Sequence, residues 1–254
     1  MKESNIYRWL NNKITPVYLK SQSNLKDLLC IERQKSIVIK NINSFIKGYP
    51  FLNMLLWGEK GCGKSSMIKA IAQAYRQYNL KVIEFISEDI FSIFDLYEIV
   101  RKDTIGKYIV YFDDISFDED DNRFRKFKSV IEGTLEEAPD NLMFTITSNR
   151  RHIIKDKALD TGDLYSRDDM NEIGSLYARF GIVVGFYPLG RDEYLKIVKH
   201  YLKLYGIKIS DEILNEAENF GIERGGRSGR IAKQFAIFQL VSLQSADISS
   251  LSQA

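Results

Sequence analysis

The chain has 254 residues, with 36 Lys plus Arg against 34 Asp plus Glu and a formal net charge of +2. That length suits one large domain, alone or with a small appendage, and so balanced a charge builds no global basic field of the kind that announces nucleic acid. No apolar run reaches bilayer length, residues 1–9 lack a signal-peptide core, and the two cysteines, Cys30 and Cys62, make neither a disulfide framework nor a zinc site, so the expectation is a protein of the reducing cytoplasm with no membrane partner.

In chain order, residues 1–30 read as a polar, weakly patterned N-terminal extension marked by Trp9 and by Pro16-Val17-Tyr18-Leu19. From Glu32 to Lys47, Val38, Ile42, Phe45 and Ile46 recur at helical spacing, and Gly48 and Pro50 end that helix. The apolar run 51–57 predicts a buried strand, and Ile68, Ile71, Ala72 and Tyr75 predict the helix beyond it. Residues 81–86 predict a second strand, with a helical stretch through Ile90, Phe94, Tyr97 and Val100. The third strand, 108–112, is apolar throughout, as a strand buried on both faces should be. A helix carrying Phe124, Phe127, Val130, Ile131 and Leu135 follows, then a fourth strand at 142–147 and a fifth at 182–186. Such alternation predicts an α/β fold with a five-stranded parallel sheet sandwiched by helices. After Pro188 only helices are predicted, at about 192–205, 211–220 and 228–243, with a frayed serine-rich tail from Ser245. The expected organisation is an α/β core over 31–188 and a small all-helical subdomain over 189–254.

Between the first strand and its helix stand Gly58-Glu59-Lys60-Gly61-Cys62-Gly63-Lys64-Ser65, a phosphate-binding P-loop in the strand–turn–helix context that the motif requires. Glycines let the backbone curl so that successive N–H groups face phosphate oxygens, and the new helix aims its positive dipole end at the same place. Lys64 would reach the β- and γ-phosphates, and the Ser65 hydroxyl would ligate Mg²⁺. Cys62 reads as a small residue where bulk is forbidden. The predicted ligand is a nucleoside triphosphate, with ADP as its product, and the lack of an Asn-Lys-x-Asp element favours ATP over GTP.

The third strand ends in Asp113-Asp114. A carboxylate delivered by an apolar strand to the sheet edge is how P-loop enzymes hold Mg²⁺, so Asp113 is the predicted metal residue beside Ser65 and Asp114 the predicted general base for the attacking water. The acids at 118–121 read as a solvated loop. At the end of the fourth strand, Thr147-Ser148-Asn149 offers Asn149 as a polar contact for the attacking water or the γ-phosphate. Arg150, Arg151 and His152 make a compact basic patch, suited either to a phosphate or partner or to a solvated turn.

Together these motifs and the helical C-terminus resemble an AAA+ ATPase. Leu176-Tyr177-Ala178-Arg179-Phe180-Gly181 resembles the segment that carries the arginine finger in bacterial replication initiators, and Arg224–Ala232 resembles the second sensor of Holliday-junction branch-migration motors. Trp57-Gly58, Gly63-Lys64-Ser65-Ser66, Asp113–Phe117, Thr147–His152 and Arg179–Gly181 are similar in shape to those of a bacterial AAA+ family of unassigned function, over about residues 25–240. The resemblance implies Mg²⁺-dependent ATP hydrolysis in a homo-oligomer. It implies Arg179 as a finger completing a neighbour's site, the ordinary alternative being a pair with an acid on its own surface. It implies Arg230 as a lid contact to the nucleotide, Ser66 as part of the phosphate site, and Ile31 as an apolar contact to the adenine. Many relatives carry glutamate where this chain has Asp114.

The client is either protein or nucleic acid. One reading is an ATPase that drives or switches the remodelling of a macromolecular partner. The alternative is a DNA-associated ATPase like an initiator or helicase loader. Arg123–Lys128 supplies a basic stretch for the second reading, but no helix-turn-helix follows the lid.

Overall fold

The computed structural model describes residues 5–19, 23–86, 90–117, 122–132, 136–150 and 178–251. Its chain forms two units: Met1–Asp27, Arg33–Gly58 and Lys64–Gly185 make the first, and Leu28–Glu32, Glu59–Gly63 and Phe186–Ala254 the second.

Among the described residues, the first unit is an α/β sheet of seven strands, β1 (Ile6–Leu10), β2 (Lys13–Pro16), β3 (Met54–Gly58), β4 (Leu80–Phe85), β5 (Lys107–Phe112), β6 (Leu142–Ser148) and β7 (Ile182–Phe186). Their spatial order is β2-β1-β4-β5-β6-β3-β7. The pairs β1–β4, β4–β5, β5–β6 and β6–β3 are parallel. Four helices of this unit are α1 (Glu32–Ile46), α2 (Lys64–Ala74), α3 (Ile93–Lys102) and α4 (Asn122–Glu132).

The expectation of five strands is corrected here, because residues 6–16 form a hairpin that extends the sheet beside β4. Its loop is the pair Asn11-Asn12, both left-handed at φ 50° and 54°, the backbone of a two-residue turn whose twist matches its strands. The buried positions of β1 are Ile6 and Trp9, three apart, so the two-residue alternation that betrays a strand is missing. Trp9 is fully buried and its indole Nε1 donates to Ser92 Oγ at 3.0 Å, which anchors the hairpin.

Burial on both faces explains the near-continuous apolar strands of the centre. Along β5, Tyr108, Val110 and Phe112 join one cluster with Leu96 and Val100 of α3 and Phe124 and Phe127 of α4. Ile109 and Tyr111, equally buried, lie on the opposite face by the alternation of a strand. α1 buries Val38, Ile42 and Phe45, and α2 buries Met67, Ile68 and Ile71. The sheet thereby fixes the ends of β3, β5 and β6 side by side, and those ends carry the polar residues singled out by sequence.

The second unit holds three helices, α5 (Arg191–Leu204), α6 (Asp211–Glu223) and α7 (Gly229–Leu251). They enclose Tyr194, Val198, Leu202, Ala217, Ala232 and Phe235. Two starts are capped by serine: Ser210 Oγ accepts from Ile213 N, and Ser228 Oγ from Ile231 N, both at 3.3 Å. Gly221 lies so near Tyr194 that a Cβ there would sit 3.3 Å from its ring. Among the described residues no helix is long and apolar enough to cross a membrane.

Candidate active site

In the first unit, Gly58 ends β3 and Lys64 and Ser65 begin α2. Lys64 is buried, and its Nζ donates to Gly58 O and, at 3.2 Å, to Asn149 Oδ1. The cation is therefore stationed at the root of the loop and tied to the end of β6. Asn149 Nδ2 in turn donates to Asp114 Oδ1, so one amide joins the predicted phosphate lysine to the predicted base.

Ser65 Oγ donates to Asp113 Oδ1 at 3.0 Å. The same oxygen accepts from Tyr111 OH at 2.5 Å and from Thr147 Oγ1 at 2.7 Å. Partial burial pushes the Asp113 carboxyl upward, but the hydroxyls of Tyr111, Thr147 and Ser65 and the nearby Lys69 charge outweigh it and hold it below the ordinary carboxylate range. Burial first, and then the Asp113 charge, pushes the Tyr111 phenol far up, so it remains a donor. A serine hydroxyl beside an ionised carboxylate offers oxygen donors only, the set that a hard cation such as Mg²⁺ prefers.

Asp114 follows in a left-handed conformation, φ 54°, with its N–H donating to Thr147 Oγ1 at 2.9 Å. Ile115 N then donates to Thr147 O at 2.8 Å. Lys64, Ser65, Asp113, Asp114 and Asn149 are thus brought into one hydrogen-bonded group.

The second unit holds the apex of the loop, Glu59–Gly63, together with Ile31, Ser228 and Arg230. Gly61 and Gly63 take φ 87° and 103°, which side-chain-bearing residues rarely adopt. A Cβ on Gly61 would lie 2.8 Å from Ser228 Oγ and 3.3 Å from Arg230 Cβ, so the apex is seated against the start of α7. A Cβ on Gly63 would lie 3.5 Å from Ile31 Cδ1, which places the buried Ile31 beside the loop. Cys62 is buried, whereas Glu59, Lys60, Ser66 and Arg230 are exposed.

Arg179 is exposed on the helical turn before β7, and among the described residues no hydrogen bond or ion pair joins it to the group above. Its neighbours are fixed: Phe180 is buried, and a Cβ on Gly181 would meet Leu52 Cδ2 at 2.7 Å. Arg150 is exposed. Arg151 and His152, the acids at 118–121, and Leu176 and Tyr177 of the finger segment lie outside the described residues.

Sequence reasoning passed over Tyr111 and Thr147. Both were legible by strand alternation, since Tyr111 stands two before Asp113 and Thr147 two before Asn149, each pair on one face.

The sequence profile of a family described as "Protein of unknown function (DUF815)" matches residues 2–242. No curated protein matches the sequence significantly. Among solved structures, the chain is similar to the Thermotoga maritima RuvB Holliday junction branch migration motor, with a TM-score of 0.56 and 17% identity over 84% of this chain. It spans 63% of that chain's length. Domain III of the Thermotoga maritima replication initiation protein DnaA matches with a TM-score of 0.61 and 13% identity, over 91% of this chain and 92% of that one. A chain of the E. coli MS115-1 HORMA:CdnC:Trip13 complex matches with a TM-score of 0.56 and 12% identity, over 87% and 92%. At such identities the likeness is one of fold, and that fold is the AAA+ P-loop type.

Proposed function

The chain belongs to the DUF815 family of proteins of unknown function, and we propose that it is a Mg²⁺-dependent AAA+ ATPase that uses ATP to drive or switch the remodelling of a macromolecular partner. The observation that carries this reading is the convergence of Lys64, Asn149, Asp114, Asp113 and Ser65 at the strand ends, through hydrogen bonds that run from the P-loop lysine to a paired aspartate.

In this reading residues 31–188 form the nucleotide-binding core and 189–254 the lid. The backbone from Gly58 to Ser66 binds the phosphates, with Lys64 donating to the β- and γ-oxygens in place of Gly58 O and Asn149 Oδ1. Ser65 and Asp113 would hold Mg²⁺, which would supply charge neutralisation for the transferred phosphoryl group. Asp114 accepts a proton from the attacking water, and Asn149 orients that water. Ile31 lies against the base. Arg230 reaches the phosphates from the same unit as the loop apex, and Arg179 serves a neighbouring copy in a cytoplasmic homo-oligomer.

Asp114→Asn tests the assignment. It keeps Ser65 and Asp113 intact while removing the base, so ATP binding should persist within about threefold and turnover should fall by roughly 10²–10⁴, the range of general-base catalysis. Filter binding and phosphate release measure the two. Loss of both together would place Asp114 in the metal site instead.

A DNA client is the second reading, favoured by one surface. Lys196, Lys199, His200 and Lys203 of α5 line a groove of about 760 Å³ with Arg191, opposed by Asp192 and Asp211. Binding of single- or double-stranded DNA that falls steeply between low and moderate salt supports it. Salt-independent or absent binding leaves a protein client.

A further inference from the structure

We propose that Thr147 and Tyr111 are positioning residues that lock Asp113 and Asp114 into one rigid pair, with Thr147 the link between the two carboxylates' stations. The proposal rests on the metal and base roles assigned above and explains how adjacent aspartates keep different tasks.

Thr147 is fully buried near the end of β6. Its Oγ1 donates its single proton to Asp113 Oδ1 at 2.7 Å and accepts the Asp114 N–H at 2.9 Å. A hydroxyl can donate and accept on one atom; an aliphatic side chain of the same shape can do neither. The Thr147 carbonyl accepts from Ile115 N at 2.8 Å, so one residue of β6 grips three in succession after β5. That grip maintains Asp114 at φ 54°, a left-handed conformation that directs its side chain to Asn149 while Asp113 turns to Ser65.

Tyr111 closes the arrangement from β5. Its buried hydroxyl donates to the same Asp113 oxygen at 2.5 Å and lies 3.3 Å from Thr147 Oγ1. With Ser65, Asp113 Oδ1 thus collects three hydroxyl donors, which fix the rotation of the carboxylate before any ligand arrives. Preorganisation of this kind lowers the cost of taking up a cation, because the carboxylate need not be ordered when the cation binds.

The experiment compares Thr147→Val, which keeps the shape and removes both bonds, with Thr147→Ser, which keeps the hydroxyl. The readout is the Mg²⁺ concentration that half-saturates the Mg²⁺-dependent part of fluorescent ATP-analogue binding, together with affinity for the same analogue in EDTA. Thr147→Val should raise the Mg²⁺ requirement about tenfold, the scale of one lost hydrogen bond to a charged group, and leave the EDTA affinity within about twofold. Thr147→Ser should return the Mg²⁺ requirement to the parental range. A parental value in Thr147→Val, or a serine variant as impaired as the valine one, overturns the proposal. Tyr111→Phe, which keeps the buried ring and loses one hydrogen bond to the same carboxylate, should raise the requirement about tenfold by the same reasoning, and a parental value there overturns it even if Thr147→Val does not fold. Parent protein whose nucleotide binding ignores Mg²⁺ removes the ATPase reading itself. That outcome is separate from a Mg²⁺-dependent parent with unaffected variants.

Discussion

Lys64→Ala is expected to weaken ATP binding by about 100-fold or more, the loss of two charge-assisted hydrogen bonds at roughly 1.5–3 kcal/mol each. The side chain is buried at the root of the loop, bonded to Gly58 O and Asn149 Oδ1, so no other cation is so placed among the described residues of the hydrogen-bonded group. Alanine removes the charge without inserting bulk, and the apolar positions of α2 that hold the helix, Met67, Ile68 and Ile71, are untouched. A fluorescent-analogue titration, with far-UV circular dichroism as the control for folding, measures it. Unchanged affinity would remove the P-loop from the nucleotide site.

Arg179→Ala should abolish hydrolysis while leaving ATP binding intact. An arginine that stabilises charge on the transferred phosphoryl group contributes about 10³-fold or more to turnover. The guanidinium is exposed while its backbone is pinned by buried Phe180 and by the close approach of Gly181 to Leu52, an arrangement suited to presenting a cation outward. If it acts on a neighbouring copy, turnover per subunit should rise with protein concentration. Mixing Arg179→Ala with Lys64→Ala should then restore part of the activity, because the second variant supplies the arginine and the first an intact loop. A flat rate per subunit and no recovery on mixing would make Arg179 a structural residue of a monomeric enzyme.

The motif-bearing part of the fold was legible in the sequence, because its signals are local. The predicted run at 108–112 corresponds to β5, and the glycines at 61 and 63 take the left-handed angles that the P-loop motif requires. Asp113 and Asn149 stand out in the sequence because each directly follows an apolar strand. Neither the hairpin nor the Thr147 link was found. The hairpin lacks alternation, and its Asn11-Asn12 turn was the one local clue. The link joins β5 to β6 across 34 residues, and strand register, which pairs Phe112 with Ile146, is a property of the assembled sheet. Register carries no local pattern, so alternation can put Thr147 on the face of Asn149 but cannot join it to Asp113.

The hairpin also decides how the sheet meets the world outside it. β2 is four residues long, carries Lys13, and ends at Pro16, which has no N–H to offer. Sheets that finish this way resist being lengthened by a strand from another molecule. Beneath this cover lies β4, a six-residue strand with four buried positions, whose β1-facing backbone groups would be sticky if stripped of the hairpin. Part of the segment that reads as an N-terminal extension is therefore the hem of the sheet, and a chain trimmed to its motif-bearing part would leave the backbone edge of β4 open to strands from other molecules.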